Sequence, residues 1–188
     1  MKKILIILAL LSVSFTMKAP SLTDIYSNER YFYALQEYDK QQKEQELKKF
    51  LFHLSLRESS DNWKIYNDSG YMGKYQFGSG TLRTIGIHGI TFKKFKSNPW
   101  VFTEELQEKA IRLLVDHNYE ILEYYILKYE GVKINNVTIT KSGIIAAAHI
   151  AGAYGVKRFL EGSGEYDPND AYGTHLSDYL QEFDNYKI

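Results

Sequence analysis

The stretch RESSDNWKIYNDSGYMGKYQFGSGTL, residues 57–82, changes character twice within a short length. It starts at the end of an amphipathic helix, passes through a polar cluster and continues as glycines interleaved with aromatic residues. The apolar residues that predict this helix, from about Glu44 onwards, recur at the three- and four-residue steps of one buried stripe: Leu47, Phe50, Leu51 and Leu54. Glu58 takes the next position of the stripe, where the pattern favours leucine.

The glycine-rich part, residues 70–80, has the period-two alternation of an extended chain. One set of alternating residues is Tyr71, Gly73, Tyr75 and Phe77, and the other is Met72, Lys74 and Gln76. Glycines at both ends supply turns. The pattern predicts a short hairpin or an extended loop directly after the helix that carries Glu58.

Further helices are predicted downstream. Thr103 is placed to begin a long amphipathic helix that ends at Gly131, and Thr140 is placed to cap an alanine-rich helix. The residues expected to share the buried face of the long helix are Leu106, Ala110, Leu113, Leu114, His117, Ile121 and Tyr125. A short helix over 156–160 and a last helix, LSDYLQEF, complete an α+β domain that is mostly α.

Composition excludes several classes of function. The 188 residues carry 23 basic and 23 acidic side chains, so no overall charge attracts nucleic acid, which is not an expected partner. With no cysteine, disulfides and thiol nucleophiles are impossible. There is no G-x-S-x-G elbow, and the five histidines are not spaced as metal ligands, so neither a metal nor a cofactor is expected.

The first residues, MKKILIILALLSVSFTMKAP, have the charged, apolar and small-residue order of a secretory signal peptide. We predict a signal peptide over 1–19, with cleavage after Thr16 or Ala19, a lead-in segment over 20–44 and a catalytic domain over 45–188. An uncleaved membrane anchor is the alternative. The processed protein is expected to be exported to the periplasm or the extracellular space, as a monomer without a stable membrane span.

Glu58 is the residue with the clearest chemical potential. It could be a glutamate at a frayed helix end that faces water. Its place on an apolar stripe favours a second interpretation, because burial disfavours a charged carboxylate. A carboxylic acid that stays protonated is the group that glycoside cleavage needs to protonate the leaving oxygen.

Four segments in order resemble the motifs of the lysozyme-like lytic transglycosylases that cut peptidoglycan. They are ES at 58–59, GYMGKYQFG at 70–78, GIIAAAHIAGAYGV at 143–156 and GTHLSDYLQEF at 173–183. The last is similar to the GTSLSDYL ending of phage-related and bacterial members. The resemblance covers residues 45–183. It departs from the family at His149 and Ile150, where tyrosine and asparagine are usual, and at Lys74 and Tyr75, which replace an apolar pair.

The resemblance implies a lysozyme-like fold, with the hairpin or loop beside the catalytic helix and with Glu58 as catalytic acid and base. It implies peptidoglycan glycan strands as the substrate, with Tyr75 and Gln76 on the substrate side and Tyr179 as a further candidate in the same groove. No second carboxylate stands at a convincing position, although Asp61 and Asp68 are close in sequence. A hydrolytic muramidase or chitinase and a non-catalytic glycan-binding protein remain alternatives.

Overall fold

The computed structural model describes residues 22–170 and 173–188. The protein is mostly helical, with one small two-stranded sheet. The predicted signal peptide lies outside the described residues. Within the described ranges, no helix has the length and apolar character needed to cross a membrane.

Contacts divide the chain after Gln41 into two compact units. Helix α1, Leu22–Ser59, contributes to both. In the first unit its side chains from Ser27 onwards are exposed, including Tyr31, Phe32 and Tyr33. Because the helix already includes Leu22, the predicted helix start near Glu44 was wrong. The glutamines, glutamates and lysines before Glu44 have good helix propensity, and a solvated helix needs no apolar stripe to continue.

The second unit contains the remaining elements. They are α2 (Ser79–Thr84), α3 (Phe92–Ser97), a 3-10 helix (Pro99–Phe102), α4 (Glu104–Tyr129), β1 (Lys133–Ile134), β2 (Val137–Thr138), α5 (Lys141–Glu161) and α6 (Leu176–Glu182). The strands form an antiparallel pair, with Lys133 opposite Thr138 and Ile134 opposite Val137. This sheet is a short connection between α4 and α5.

Side-chain caps begin the two long helices of this unit where the sequence predicted them. The Thr103 side chain accepts a hydrogen bond from the Leu106 amide, and the Thr140 hydroxyl accepts one from the Gly143 amide. Each bond satisfies a backbone donor that the first helical turn leaves unpaired. Both predicted starts are confirmed.

The core of the second unit forms where helices pack closely. Phe50, Leu51 and Leu54 of α1 are buried, as the stripe predicted. On α5 the alanines at 146–148 are buried against neighbouring helices. A side chain at Gly143 would place its Cβ 2.6 Å from the Leu180 carbonyl oxygen, so the absence of a side chain there lets α6 approach α5.

The buried face of α4 differs from the predicted one. Its buried residues are Gln107, Ala110, Ile111, Leu114, Asn118, Leu122 and Ile126. The predicted face included Ile121, which is exposed. The buried face passes through Gln107 and Asn118, and amides are not recognised as core positions by an apolar pattern.

Helix α5 breaks its direction at one glycine. Gly152 has φ 66° and ψ 164°, a conformation outside the helical region that glycine tolerates. The break lies two residues after Ile150. Both His149 and Ile150 line a cavity beside the last turn of α1.

Candidate functional site

A cavity of about 680 Å³ opens beside the last turn of α1. Its walls come from the end of α1, the segment 65–76, α5, residues 169, 170 and 174, and α6. The lining residues are Arg57, Glu58, Ile65, Tyr66, Asn67, Ser69, Tyr71, Gln76, His149, Ile150, Asn169, Asp170, Thr174 and Tyr179. Amides, aromatic rings and a few charges therefore face one space, as in many small-molecule and glycan sites.

Glu58 lies in this wall with little exposure to solvent. Its side chain is 13% exposed, and its Oε1 accepts a hydrogen bond of 2.5 Å from the hydroxyl of Tyr179. The Nε2 atom of His149 is 3.9 Å from the same oxygen. The carboxyl thus borders the cavity in a fixed orientation.

Tyr179 is positioned by the closing helix, α6. It is 3% exposed, and its ring stacks on that of Phe183. Burial, followed by the charge and the hydrogen bond of Glu58, raises the pKa of Tyr179 above its ordinary value. The hydroxyl therefore keeps its proton at neutral pH and remains a donor to Glu58.

His149 supports the hairpin rather than the carboxyl. Its Nε2 lies 2.9 Å from the backbone oxygen of Tyr75. A carbonyl oxygen can only accept, so this contact selects the tautomer with hydrogen on Nε2. The Nδ1 atom is buried and has no hydrogen-bond partner within the described part of the chain.

The glycine-rich segment forms a tight hairpin. Met72 and Phe77 exchange two backbone hydrogen bonds of 3.0 and 2.8 Å. Gly73 has φ 76°, and a Cβ on it would lie 2.2 Å from Oε1 of Gln107. Gln107 is fully buried, and this oxygen accepts from the Lys74 amide at 2.6 Å. Glycine at 73 is therefore required by backbone conformation and by space.

Ser59 joins the hairpin to the helix of Glu58. Its buried hydroxyl donates to the backbone oxygen of Lys74 at 2.7 Å. The serine beside the candidate catalytic residue thus sets the distance between the helix end and the hairpin. This is a positional role, because the hydroxyl is directed at the hairpin backbone.

Gln76 lies at the cavity. Its φ of 48° is left-handed. Its amide oxygen accepts from Asn67 Nδ2 at 3.0 Å, and its amide nitrogen donates to the Gly73 backbone oxygen at 2.8 Å. These two bonds fix the orientation of the amide at the cavity wall.

Tyr75 has a different placement from the other predicted site residues. The structure brings Glu58, Gln76 and Tyr179 together at the cavity, whereas the Tyr75 ring is 1% exposed and lies in the core. Its hydroxyl donates to Glu108 at 2.9 Å. Tyr75 and Phe77, which belong to the same set of the predicted alternation, are both buried, and the backbone oxygen of Tyr75 contacts His149.

Lys74 also lies behind the hairpin. Its Nζ is 2.9 Å from Asp61, 2.9 Å from Glu108 and 3.3 Å from Glu104. Burial lowers the pKa of Lys74, but the hydrogen bonds and charges of Asp61 and Glu108 outweigh it and leave that pKa raised. Lys74 therefore anchors the hairpin to α4 instead of facing the cavity.

The second carboxylate at the cavity was missed by sequence reasoning. It is Asp170, on the loop before α6, where its Oδ1 accepts from the Thr174 amide at 2.9 Å. Asp61 is occupied by Lys74 and by the Ser55 hydroxyl at 2.7 Å, and Asp68 is exposed. In the sequence, Asp170 belongs to the turn-forming segment DPND, and a turn pattern carries no information about which cavity the turn borders.

Other lining residues had no sequence signal either. Arg57 precedes Glu58 on α1, and its Nε is 3.2 Å from Glu182. Asn67 and Asn169 bring further amides. Over residues 22–170 and 173–188, no group of three or more potential metal ligands is assembled.

Comparison with known proteins identified no relative of this chain. No protein-family model, no curated protein and no solved structure matches the chain.

Proposed function

We propose that this protein is a peptidoglycan lytic transglycosylase of the lysozyme-like superfamily. It would cleave the β-1,4 bond between N-acetylmuramic acid and N-acetylglucosamine, with Glu58 as general acid and base. The observation that carries the proposal is the carboxyl of Glu58, 13% exposed, bonded to Tyr179 and bordering a cavity of about 680 Å³. A shielded carboxyl at a cavity wall is suited to exchange a proton with a bound glycan.

The reaction needs one carboxyl in two protonation states. Protonated Glu58 gives its proton to the glycosidic oxygen as the C1–O bond of the muramic acid breaks. The resulting carboxylate accepts the Tyr179 hydroxyl hydrogen bond, which becomes stronger when the acceptor is charged. Glu58 then removes the proton of the C6 hydroxyl as that oxygen bonds to C1. The product is a 1,6-anhydro sugar, and no water is consumed.

The cavity chemistry supports an amino-sugar substrate. Asn67, Gln76 and Asn169 bring side-chain amides that match the hydroxyl and acetamido groups of such sugars. Tyr66 and Tyr71 bring ring faces that can pack on the apolar side of a pyranose. A cofactor is not needed for this chemistry.

The arrangement of the helices and the hairpin supports the proposed assignment to the lysozyme-like superfamily. The helix-end glutamate, the hairpin, the interrupted alanine-rich helix and the closing helix all contribute to one cavity. These elements carry the four motifs of the resemblance, in the same order along the chain. Export follows as part of the proposal, because peptidoglycan lies outside the cytoplasm and residues 1–19 have the signal-peptide pattern.

A hydrolytic muramidase is the second candidate. It is favoured by Asp170, a second carboxylate at the same cavity that could orient a water molecule. A chitinase or a non-catalytic glycan-binding protein would use the same cavity without muramic acid chemistry or without turnover.

Mass spectrometry of digested peptidoglycan tests the proposal, because anhydro and reducing-end products differ by one water. We expect anhydro products from the wild-type protein, and the same products from Asp170→Asn. Reducing-end products that disappear in Asp170→Asn would establish the muramidase instead. Absence of any cleaved glycosidic bond, with binding intact, would establish a non-catalytic protein.

A further inference from the structure

A pair of indoles lies outside the cavity. Trp63 and Trp100 are the protein's two tryptophans, and their ring centroids are 5.0 Å apart at an interplanar angle of 70°. Trp100 is 64% exposed. Large aromatic side chains that stay at the surface are frequent anchors of binding sites, because they offer much contact area at little cost in side-chain entropy.

Both indoles stand on fixed backbone. The Asn98 side chain accepts from the Trp100 amide at 3.2 Å, and Phe102 anchors the same 3-10 helix in the core. The backbone oxygen of Trp63 accepts from Gln107 Nε2 at 2.8 Å. The pair is therefore a preformed surface.

Two lysine side chains lie close to aromatic rings in this part of the surface. Lys64 Nζ lies 4.8 Å from the Trp63 centroid and 5.2 Å from the Trp100 centroid. Lys96 Nζ lies 5.4 Å from the Tyr66 ring. Across residues 22–170 and 173–188, no carboxylate lies within ion-pair distance of either lysine.

The sequence around Lys96 and Trp100 has basic residues but no acidic ones. Residues 69–103 contain no aspartate or glutamate. Their basic residues are Lys74, Arg83, Lys93, Lys94 and Lys96. Lys74 is already paired with carboxylates. A ligand with carboxylates complements the remaining basic residues of this segment.

The indole pair is close to the cavity along the chain. Trp63 precedes Ile65 and Tyr66, and both of these line the cavity. Three residues of chain span at most about 11 Å, so a ligand that fills the cavity and extends past Tyr66 can reach the indoles.

We infer that Trp63, Lys64 and Trp100, together called the tryptophan platform, bind a distal portion of the acidic amino-sugar strand that is cut at Glu58. A sugar ring stacks on the exposed Trp100 indole. Carboxylates of the peptide attached to muramic acid pair with Lys64 and Lys96. This inference deepens the proposed function and rests on it.

Binding to the full-length Glu58→Gln protein tests the platform without turnover. The probe is soluble peptidoglycan strands that retain their peptides. The readout is fluorescence excited beyond the absorption band of tyrosine, where the emission comes from Trp63 and Trp100. We expect a saturable change in emission. Trp100→Ala should weaken strand binding about tenfold, the upper range for one stacked aromatic contact. Tyr124→Ala is the matched control, because Tyr124 is also 64% exposed but lies on α4.

Two further ligands separate the possible outcomes. A single disaccharide–peptide unit that fills only the cavity should bind Trp100→Ala and the control equally. Neutral chitin strands should bind more weakly than peptidoglycan strands, and Lys64→Gln should reduce that difference. Equal binding of peptidoglycan strands by Trp100→Ala and Tyr124→Ala would overturn the inference. If the wild-type protein cleaves nothing, Trp100-dependent strand binding would still support the platform while the proposed activity fails.

Discussion

The hydroxyl of Tyr179 donates a 2.5 Å hydrogen bond to Oε1 of Glu58, a residue 121 positions earlier in the chain. This bond joins the end of α1 to α6. The closing helix therefore fixes the orientation of the carboxyl that borders the cavity. The bond therefore joins the C-terminal segment GTHLSDYLQEF to the ES pair at 58–59.

Replacing Tyr179 by phenylalanine should lower turnover while the fold persists. The variant keeps the ring but loses a hydrogen bond to a charged acceptor, worth about 1.5–3 kcal/mol. If that bond is strongest after proton transfer, turnover falls about tenfold to a hundredfold. Rates of muropeptide release and thermal unfolding provide the measurement. Tyr186→Phe is the control, since it loses the bond to His53 without touching Glu58. Unchanged turnover in Tyr179→Phe would rule out this role.

Ser59→Ala should reduce turnover more than its loss of stability explains. The substitution removes the bond from the Ser59 hydroxyl to the Lys74 backbone oxygen, with an expected cost of about 1–2 kcal/mol. Ser142→Ala removes a comparable buried bond, to the Phe183 backbone oxygen, away from the cavity. Denaturant unfolding and turnover should show similar stability losses but a rate loss in Ser59→Ala alone. Equal rates in the two folded variants would show that Ser59 only stabilises the fold.

Gly73→Ala should be far more harmful than Gly89→Ala. Both glycines have positive φ, 76° and 82°, so both variants incur about 1–2 kcal/mol of backbone strain. Only Gly73 would also drive its Cβ into Gln107, whereas a Cβ on Gly89 meets nothing within 4 Å. We expect a further loss of about 1–3 kcal/mol from overpacking, measured by chemical denaturation. Equal stability of the two variants would mean that the hairpin does not sit against Gln107 as described.

Lys74→Met should lose stability in a pH-dependent manner. The pKa of Lys74 is raised, so its stabilising contribution is complete below its ordinary pKa near 10.5 and is lost as pH rises above it. For Asp61, burial raises the pKa, but the hydrogen bonds from Lys74 and Ser55 outweigh burial and leave the pKa lowered. The contribution of Asp61 to stability is therefore present above its ordinary pKa of 3.8 and is lost as the pH falls through the lowered value. At pH 7 both contributions are complete.

The expected loss in Lys74→Met at pH 7 is about 2 kcal/mol, between the values for exposed and buried ion pairs, because the carboxylates are partly solvated. The loss should shrink in acid, as the pH falls through the lowered pKa of Asp61 and that carboxylate no longer pairs with Lys74. Unfolding free energies across pH measure it. Lys49→Met, at an exposed pair with Glu46, should show a small loss at every pH. A loss in Lys74→Met that does not vary with pH would contradict the ion-pair account.

The sequence predicted the elements that depend on local patterns. The stripe of α1, the caps at Thr103 and Thr140 and the last helix follow from apolar spacing and side-chain capping, which act within a few residues. The placement of Glu58 at a helix end, next to the hairpin, follows from the same rules. These interactions are local, and neighbouring residues are enough to reveal them.

Other features depend on contacts that no local pattern contains. Gln107 is buried because its amide bonds to the backbone of Lys74, Trp63 and Phe102, which rotates the buried face of α4. The face of the hairpin that carries Tyr75 is buried because it packs against α4, where the Tyr75 hydroxyl donates to Glu108. Asp170 reaches the cavity through the path of a loop. Each requires tertiary structure to be known.

The most direct test of the central claim is muropeptide release by Glu58→Gln. The glutamine keeps the size of the side chain and an oxygen that can accept from Tyr179, so the unfolding free energy should hold or rise. It has no transferable proton, and general acid catalysis contributes about 10²–10⁴ in rate. We predict that the folded variant binds peptidoglycan and releases muropeptides at least a hundredfold more slowly than the wild-type protein. Near-normal release by a well-folded Glu58→Gln protein would contradict the mechanism.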